Sequence, residues 1–161
     1  MNQQKMGAQP ISRDESHPRL KLPKDTPGVS ARYKILVIED SPVLQDSIAV
    51  WLDFSGYSVV VANDGFEGLA VLSKELPDLI ITDIAMPGLN GIETIRSVRQ
   101  LRGRLSRVPI IVLTGSFSDY ALEALSAGAD RALEKPVDPK IMLAHVRSLL
   151  NQNPAAFRAA S

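Results

Sequence analysis

From Tyr33 onward, short apolar runs alternate with stretches of helical periodicity. Lys34–Ile38 is rich in β-branched residues and predicts a first strand. Ser41-Pro42 follows as a helix start, with proline at the first helical position, where its missing N–H costs nothing. Leu44, Ile48, Trp51 and Leu52 recur at i, i+4, i+7 and i+8, one face of a helix that Gly56 ends. Residues 57–62 predict a second strand, and Asn63-Asp64-Gly65 turns into a helix running to about Glu75. Pro77-Asp78 stops that helix and admits a third strand, Leu79–Asp83. Gly91 opens a helix with Ile92, Ile95 and Val98 on its apolar face, and residues 108–113 predict a fourth strand. Ser118 is the expected cap of a short helix to Ala127, which Gly128 breaks. Arg131–Glu134 is a short fifth strand, and Asp138-Pro139 starts a last helix to about Leu150.

Five strand–helix units with connections too long for hairpins imply parallel strands joined by right-handed crossovers. The predicted fold class is therefore α/β, a doubly wound five-stranded parallel sheet with helices on both faces. Residues 33–150 form that domain. Residues 1–32 hold Pro10, Pro18, Pro23 and Pro27, few large apolar groups and no period, and are expected to be a disordered extension. Residues 151–161 are expected to be a frayed tail. With nothing beyond Leu150 resembling an output domain, the reading is of a single-domain protein.

Composition adds exclusions. There is no cysteine, which rules out disulfides and thiolate metal sites. No apolar stretch approaches the roughly 20 residues that span a bilayer, and the first residues lack a signal-peptide core, so a cytoplasmic protein without a membrane partner is expected. The net charge of zero hides an asymmetry: residues 1–34 carry seven basic and three acidic groups (+4), the remainder eleven and fifteen (−4). Dispersed charge without aromatic residues describes a solvated tail better than a nucleic-acid arm, and no nucleic-acid partner is expected. Arg96, Arg99, Arg102, Arg104 and Arg107 form a basic run, read as a solvated face or else a docking patch. His17 and His145 fit no metal cluster.

Candidate chemistry gathers at the strand ends. Glu39-Asp40 follows the first apolar run and Asp83 closes the third. Thr114 follows the fourth, and Lys135-Pro136 the fifth. In an open parallel sheet the carboxyl ends lie on one edge, where such folds bind ligands. Two carboxylates 4 Å apart repel by about 4 kcal/mol at an effective dielectric near 20, so an acidic cluster there binds protons or recruits a hard divalent cation. Oxygen-only donors favour magnesium or manganese over zinc. Each residue alone has an ordinary reading: Asp40 as a helix cap, Thr114 as a loop residue, Lys135-Pro136 as a surface turn. Their joint recurrence at four strand ends is the specific signal.

Residues 33–150 resemble the receiver domain of two-component response regulators. Glu39-Asp40 is similar to that family's acidic pair, and Pro77-Asp78-Leu79-Ile80-Ile81-Thr82-Asp83 to the strand carrying its phospho-acceptor. Met86-Pro87 and Gly91 match the following loop, Thr114 the switch hydroxyl and Lys135-Pro136 the lysine–proline step. The resemblance implies a flavodoxin-like (βα)5 fold with strand order 2-1-3-4-5 and an acyl phosphate formed on Asp83. Mg²⁺ would be held by Glu39 (directly or through water), Asp40, Asp83 and the backbone carbonyl of Ala85. Lys135 and Thr114 would complete the catalytic set, and a cis Lys135–Pro136 peptide would aim the lysine inward. The domain would catalyse only its own phosphorylation and dephosphorylation. The implied partners are a histidine kinase or histidine phosphotransfer protein and a downstream protein target, with a homodimer left open. Ala85 and Ser116 flank the path of hydrolytic water, and neither is a strong base.

One departure stands out. Ala132 occupies the position where the family usually carries Tyr or Phe, so ring burial cannot report the switch. This gives weight to an alternative, a phosphorylation-independent interaction module with the same fold. A phosphatase of the haloacid dehalogenase type is disfavoured because Ala85 stands where that family needs a second acid.

Overall fold

Each apolar run is only four or five residues long, enough for a strand and too short for a helix, and each gives way to an amphipathic helix. The computed structural model describes residues 33–115 and 117–152. Ser116, the extension expected over residues 1–32, residues 153–161 and the side chains of residues 117–119 lie outside that description. Strands β1 (Lys34–Ile38), β2 (Ser58–Ala62), β3 (Leu79–Asp83), β4 (Ile110–Thr114) and β5 (Arg131–Glu134) form one sheet in the order β2-β1-β3-β4-β5. Every neighbouring pair is parallel. Between and after them run α1 (Pro42–Phe54), α2 (Gly65–Glu75), α3 (Gly91–Gln100), α4 (Phe117–Ala127) and α5 (Pro139–Gln152). The fold class and strand order are those expected.

Alternation along the strands divides the core into two layers, because successive side chains point to opposite faces. Ile35, Val37, Leu79, Ile81, Ile111 and Leu113 pack against Ile48 and Leu52 of α1 and Met142, Val146 and Leu149 of α5. Leu36, Ile38, Ile80 and Val112 pack on the other face, against Leu72 of α2, Ile95 and Val98 of α3 and Ala124 of α4. β3, covered on both faces, is buried throughout. Trp51 packs half-buried against the α1/α5 layer. No helix among the described residues is long and apolar enough to cross a membrane.

Boundaries differ from expectation where backbone groups are already committed. β2 starts at Ser58 because the Tyr57 amide donates to Leu52 O at 3.1 Å and Gly56 N to Asp53 O at 2.9 Å. That double closure, with Gly56 at φ +90°, ends α1 and removes Tyr57 from the ladder. β4 starts at Ile110 because Pro109 has no N–H to give, and Val108 N is used by a 3₁₀ turn, Gly103–Arg107, through Leu105 O at 3.3 Å. α4 begins at Phe117, which places Ser118 inside its first turn rather than at its cap. α5 runs two residues beyond Leu150.

The basic run is corrected most. Arg99 is neither solvated nor a docking group: its guanidinium donates to Gly128 O (2.9 Å), Ser106 O (3.1 Å), Val108 O (2.8 Å) and the Asp130 carboxylate (3.1 Å). Arg104 likewise donates to Leu76 O (2.8 Å), Pro77 O (3.0 Å) and Asp78 Oδ1 (3.0 Å). Burial pushes the Arg99 guanidinium below its usual range, against the opposing charge of Asp130. Arg96 pairs with Glu123 at 3.0 Å on the surface, and Arg102 and Arg107 remain exposed.

Candidate functional site

The sheet register decides which strand-end residues can meet. Ile38 lies beside Thr82, so Glu39, the next residue of that strand's chain, comes level with Asp83. Alternation turns Glu39, Asp83 and Lys135 to the face of Val37, Ile81 and Leu133, which is the α1/α5 side. Lys135 Nζ lies 3.0 Å from Glu39 Oε2 and 3.1 Å from Asp83 Oδ1, an ammonium bridging two carboxylates from β1 and β3. The Lys135–Pro136 peptide is cis.

Carboxylate oxygens of Glu39, Asp40 and Asp83 lie within 4.8 Å of one another. Glu39 and Asp83 are buried and Asp40 is exposed at the mouth. Oxygen donors at that spacing fit a hard divalent cation such as magnesium, and a thiolate or imidazole ligand is not among them. Local backbone fixes two of the acids. Asp83 Oδ1 accepts from Ile84 N at 2.7 Å, and Glu39 Oε1 accepts from Ser41 N at 3.1 Å. Ser41 occupies the cap of α1 as the sequence suggests, yet its side chain makes no capping bond. Its amide serves Glu39 instead.

Burial raises the Glu39 carboxyl above its ordinary 4.5. The hydrogen bonds from Lys135 and the Ser41 amide oppose that rise, and the charge of Asp83 adds to it. Desolvation pulls the Lys135 ammonium down, but its hydrogen bonds and charge contacts with Glu39 and Asp83 outweigh it, so Lys135 sits above its ordinary 10.5. Lys135 thus holds its proton more tightly than a free lysine, and the Glu39 carboxyl ionises less readily than a free glutamate.

The loop after Asp83 is shaped by close approach. A Cβ on Gly91 would collide with Asp83 O, so only glycine lets α3 start against the strand end. Gly91 N donates to Ile84 O at 3.0 Å, and Asn90 caps α3 with Glu93 in a reciprocal box. Ala85 is exposed in this loop, beside a cavity of about 340 Å³ between α3 and α4 that is also lined by Ile84, Ile92 and Tyr120.

Thr114 is buried at the end of β4, one residue beyond Leu113, which pairs with Asp83. Alternation puts it on the face of Val112, the α4 side, and its carbonyl accepts from Lys135 N at 2.9 Å. Glu39, Asp40, Asp83 and Lys135 are therefore brought together, while Thr114 borders them on the strand between. Ala132 is half-buried against the α4-side layer.

Sequence reasoning passed over Gln45. This buried side chain on α1 donates to Glu39 O and Ala62 O, both at 2.9 Å. The signal was present: Gln45 precedes Ile48 by three positions and Leu52 by seven, a polar residue on the inward stripe.

The family model of the response regulator receiver domain matches residues 35–147. The chain belongs to that family. Response regulator MprA of Mycobacterium tuberculosis is 40% identical over 120 residues, which cover 74% of this chain and 51% of that protein. Its counterpart in Mycobacterium leprae is 39% identical over the same length. The chain thus spans about half the length of the curated relatives it matches. Among solved structures, chemotaxis protein CheY4 of Vibrio cholerae superposes with a TM-score of 0.70 at 32% identity, covering 74% of this chain and 99% of that one. The receiver domain of sensor histidine kinase PA1611 from Pseudomonas aeruginosa superposes with a TM-score of 0.70 at 30% identity, covering 75% and 99%. It is described with a magnesium ion coordinated in its active-site cleft. Phosphorylation on aspartate is general for receivers, which serve two-component signalling and interact with histidine kinases.

Proposed function

We propose that Asp83 of this receiver accepts a phosphoryl group from a phosphohistidine, on a histidine kinase or phosphotransfer protein, and that the phosphorylated domain signals by protein contact. The observation that carries this reading is Lys135 Nζ held at 3.0 Å from Glu39 and 3.1 Å from Asp83, inside a cluster of three carboxylates. A carboxylate oxygen of Asp83 attacks phosphorus; the O–P bond forms as the N–P bond breaks, and the imidazole leaves with the electron pair. Asp83 Oδ1 is occupied by Ile84 N and Lys135, which leaves Oδ2 as the attacking atom. Lys135 can follow the transferring group and neutralise one of its oxygens. Thr114, on the neighbouring strand, offers its hydroxyl to another and links the site to the α4 side.

Glu39, Asp40, Asp83 and the Ala85 carbonyl would hold Mg²⁺, with Glu39 acting directly or through water. When bound, that ion supplies positive charge to the phosphoryl oxygens and relieves the repulsion among the acids. The protein is cytoplasmic in this reading, and a homodimer is compatible with it.

The second reading, an interaction module that works without phosphate, is favoured by one observation: Ala132 leaves no ring to move on activation. Incubation with Mg²⁺ and acetyl phosphate, followed by intact mass and then by a phosphorylated kinase domain as donor, separates the two. A labile single phosphoryl adduct that disappears in Asp83→Asn is the expected result. No adduct from either donor would favour the second reading.

A further inference from the structure

Gln45 needs an explanation that packing does not supply. It is 7% exposed on the inner stripe of α1, where Ile48 and Leu52 do the packing, and an apolar residue there would spare the cost of burying an amide. Its two Nε2 hydrogens are directed at carbonyls on two strand ends, Glu39 O and Ala62 O, each at 2.9 Å, with Asn63 Oδ1 farther off at 3.4 Å. Ala62 O also accepts from Glu39 N at 3.1 Å, the last rung between the first two strands. The amide therefore clamps the place where β1 stops and the acidic pair begins.

The consequence follows from peptide planarity. The carbonyl of Glu39 and the nitrogen and Cα of Asp40 share one rigid plane. Fixing Glu39 O fixes the direction in which the chain enters Asp40. The Glu39 side chain is held separately, by Ser41 N at 3.1 Å and Lys135 Nζ at 3.0 Å. Asp40, exposed at the mouth, depends on the backbone for its aim. The clamp extends toward α2: Asn63 N and Nδ2 donate to Glu67 Oε2 at 2.8 and 2.9 Å, and Asp64 caps the same helix through Glu67 N at 2.8 Å.

We infer that Gln45 is a positioning residue for the cation site: its side-chain amide locks the Glu39–Asp40 peptide so that both carboxylates face Asp83 at a spacing one divalent ion can bridge. This rests on the magnesium reading above and adds a residue that touches neither ion nor substrate. Partners that orient metal ligands typically change affinity by about 10–100-fold when removed.

Gln45→Met keeps the length and the apolar stem and deletes both donors. Calorimetric titration with MgCl₂ is expected to show a dissociation constant about ten-fold or more above that of the unaltered protein. Urea unfolding with chelator and with saturating Mg²⁺ separates positioning from plain stability. A structural role lowers both midpoints equally, whereas a positioning role also shrinks the gap between them. In the unaltered protein, the Gln45 side-chain amide signal in an NMR titration should move together with the Ile84 amide. A folded Gln45→Met protein that binds Mg²⁺ as tightly as the unaltered one overturns the positioning role alone. Should that variant fail to fold, a Gln45 amide signal that stays fixed while the Ile84 amide saturates does the same. No magnesium response in the unaltered protein overturns the cation reading and this inference with it.

Discussion

Glu39 shows how a single carboxylate is tuned by where its strand ends. Its folded-state proton affinity is raised, chiefly by burial, so the folded protein holds that proton more tightly than the unfolded chain does. A raised carboxyl contributes stability that is fully present below the ordinary value of 4.5 and is lost as pH rises through the folded value. Glu39→Gln, which cannot ionise, should therefore gain on the unaltered protein as pH climbs from about 4.5 through the raised folded value. Urea unfolding in chelator across that range checks it; a stability difference that stays flat with pH would refute the assignment. Lys135 acts at the other extreme. Its raised affinity adds stability below 10.5 that disappears only as pH climbs through the higher folded value, so the two windows do not overlap.

At the level of elements, the arginines matter more than the sequence run suggests. Arg99 ties α3 to the end of α4 through Gly128 O and to β4 through Val108 O, and its ion pair with Asp130 is 3.1 Å long. Asp130 in turn accepts from Ile110 N at 2.8 Å, the first residue of β4. Removing the guanidinium leaves several carbonyls without their donor. Arg99→Met should cost about 1–3 kcal/mol in urea unfolding, with phosphoryl acceptance at Asp83 retained. Arg99→Lys should recover only part of that loss, because an ammonium cannot reproduce the planar fork. Equal stability of all three proteins would show that the carbonyls find other donors. A five-arginine run does not disclose which members turn inward: Arg99 and Arg104 share spacing and chemistry with Arg102 and Arg107, and only the position of the receiving carbonyls separates them.

For the molecule as a whole, three like charges at one edge of the sheet are a local cost that a bound cation converts into stability. Mg²⁺ at a hundred times its dissociation constant should raise the unfolding free energy by about 2.7 kcal/mol, and chelator should reverse the effect. Asp40→Ala should shrink that gain, since Asp40 supplies one of the three clustered carboxylates, at the open mouth, and is not part of the core. Thermal unfolding with and without MgCl₂ provides the measurement; a midpoint indifferent to magnesium in the unaltered protein would contradict the cation site.

Strand–helix alternation, the two-faced apolar pattern and the polar groups closing four strands were enough to predict the sheet, its parallel sense and the residues to watch. Those features are written in residue order, because side-chain period and turn chemistry are local properties. Resemblance to receivers then supplied the strand order and the roles. The partners of Arg99 and the double acceptor clamped by Gln45 depend on groups far apart in the chain, such as Gly128 beside Arg99. Hydrogen bonds of that kind are fixed by register and packing depth, which no local pattern encodes. The acids could be named from the sequence, but the spacing that lets one lysine and one cation serve them arises only when β1, β3, β4 and β5 close into a sheet.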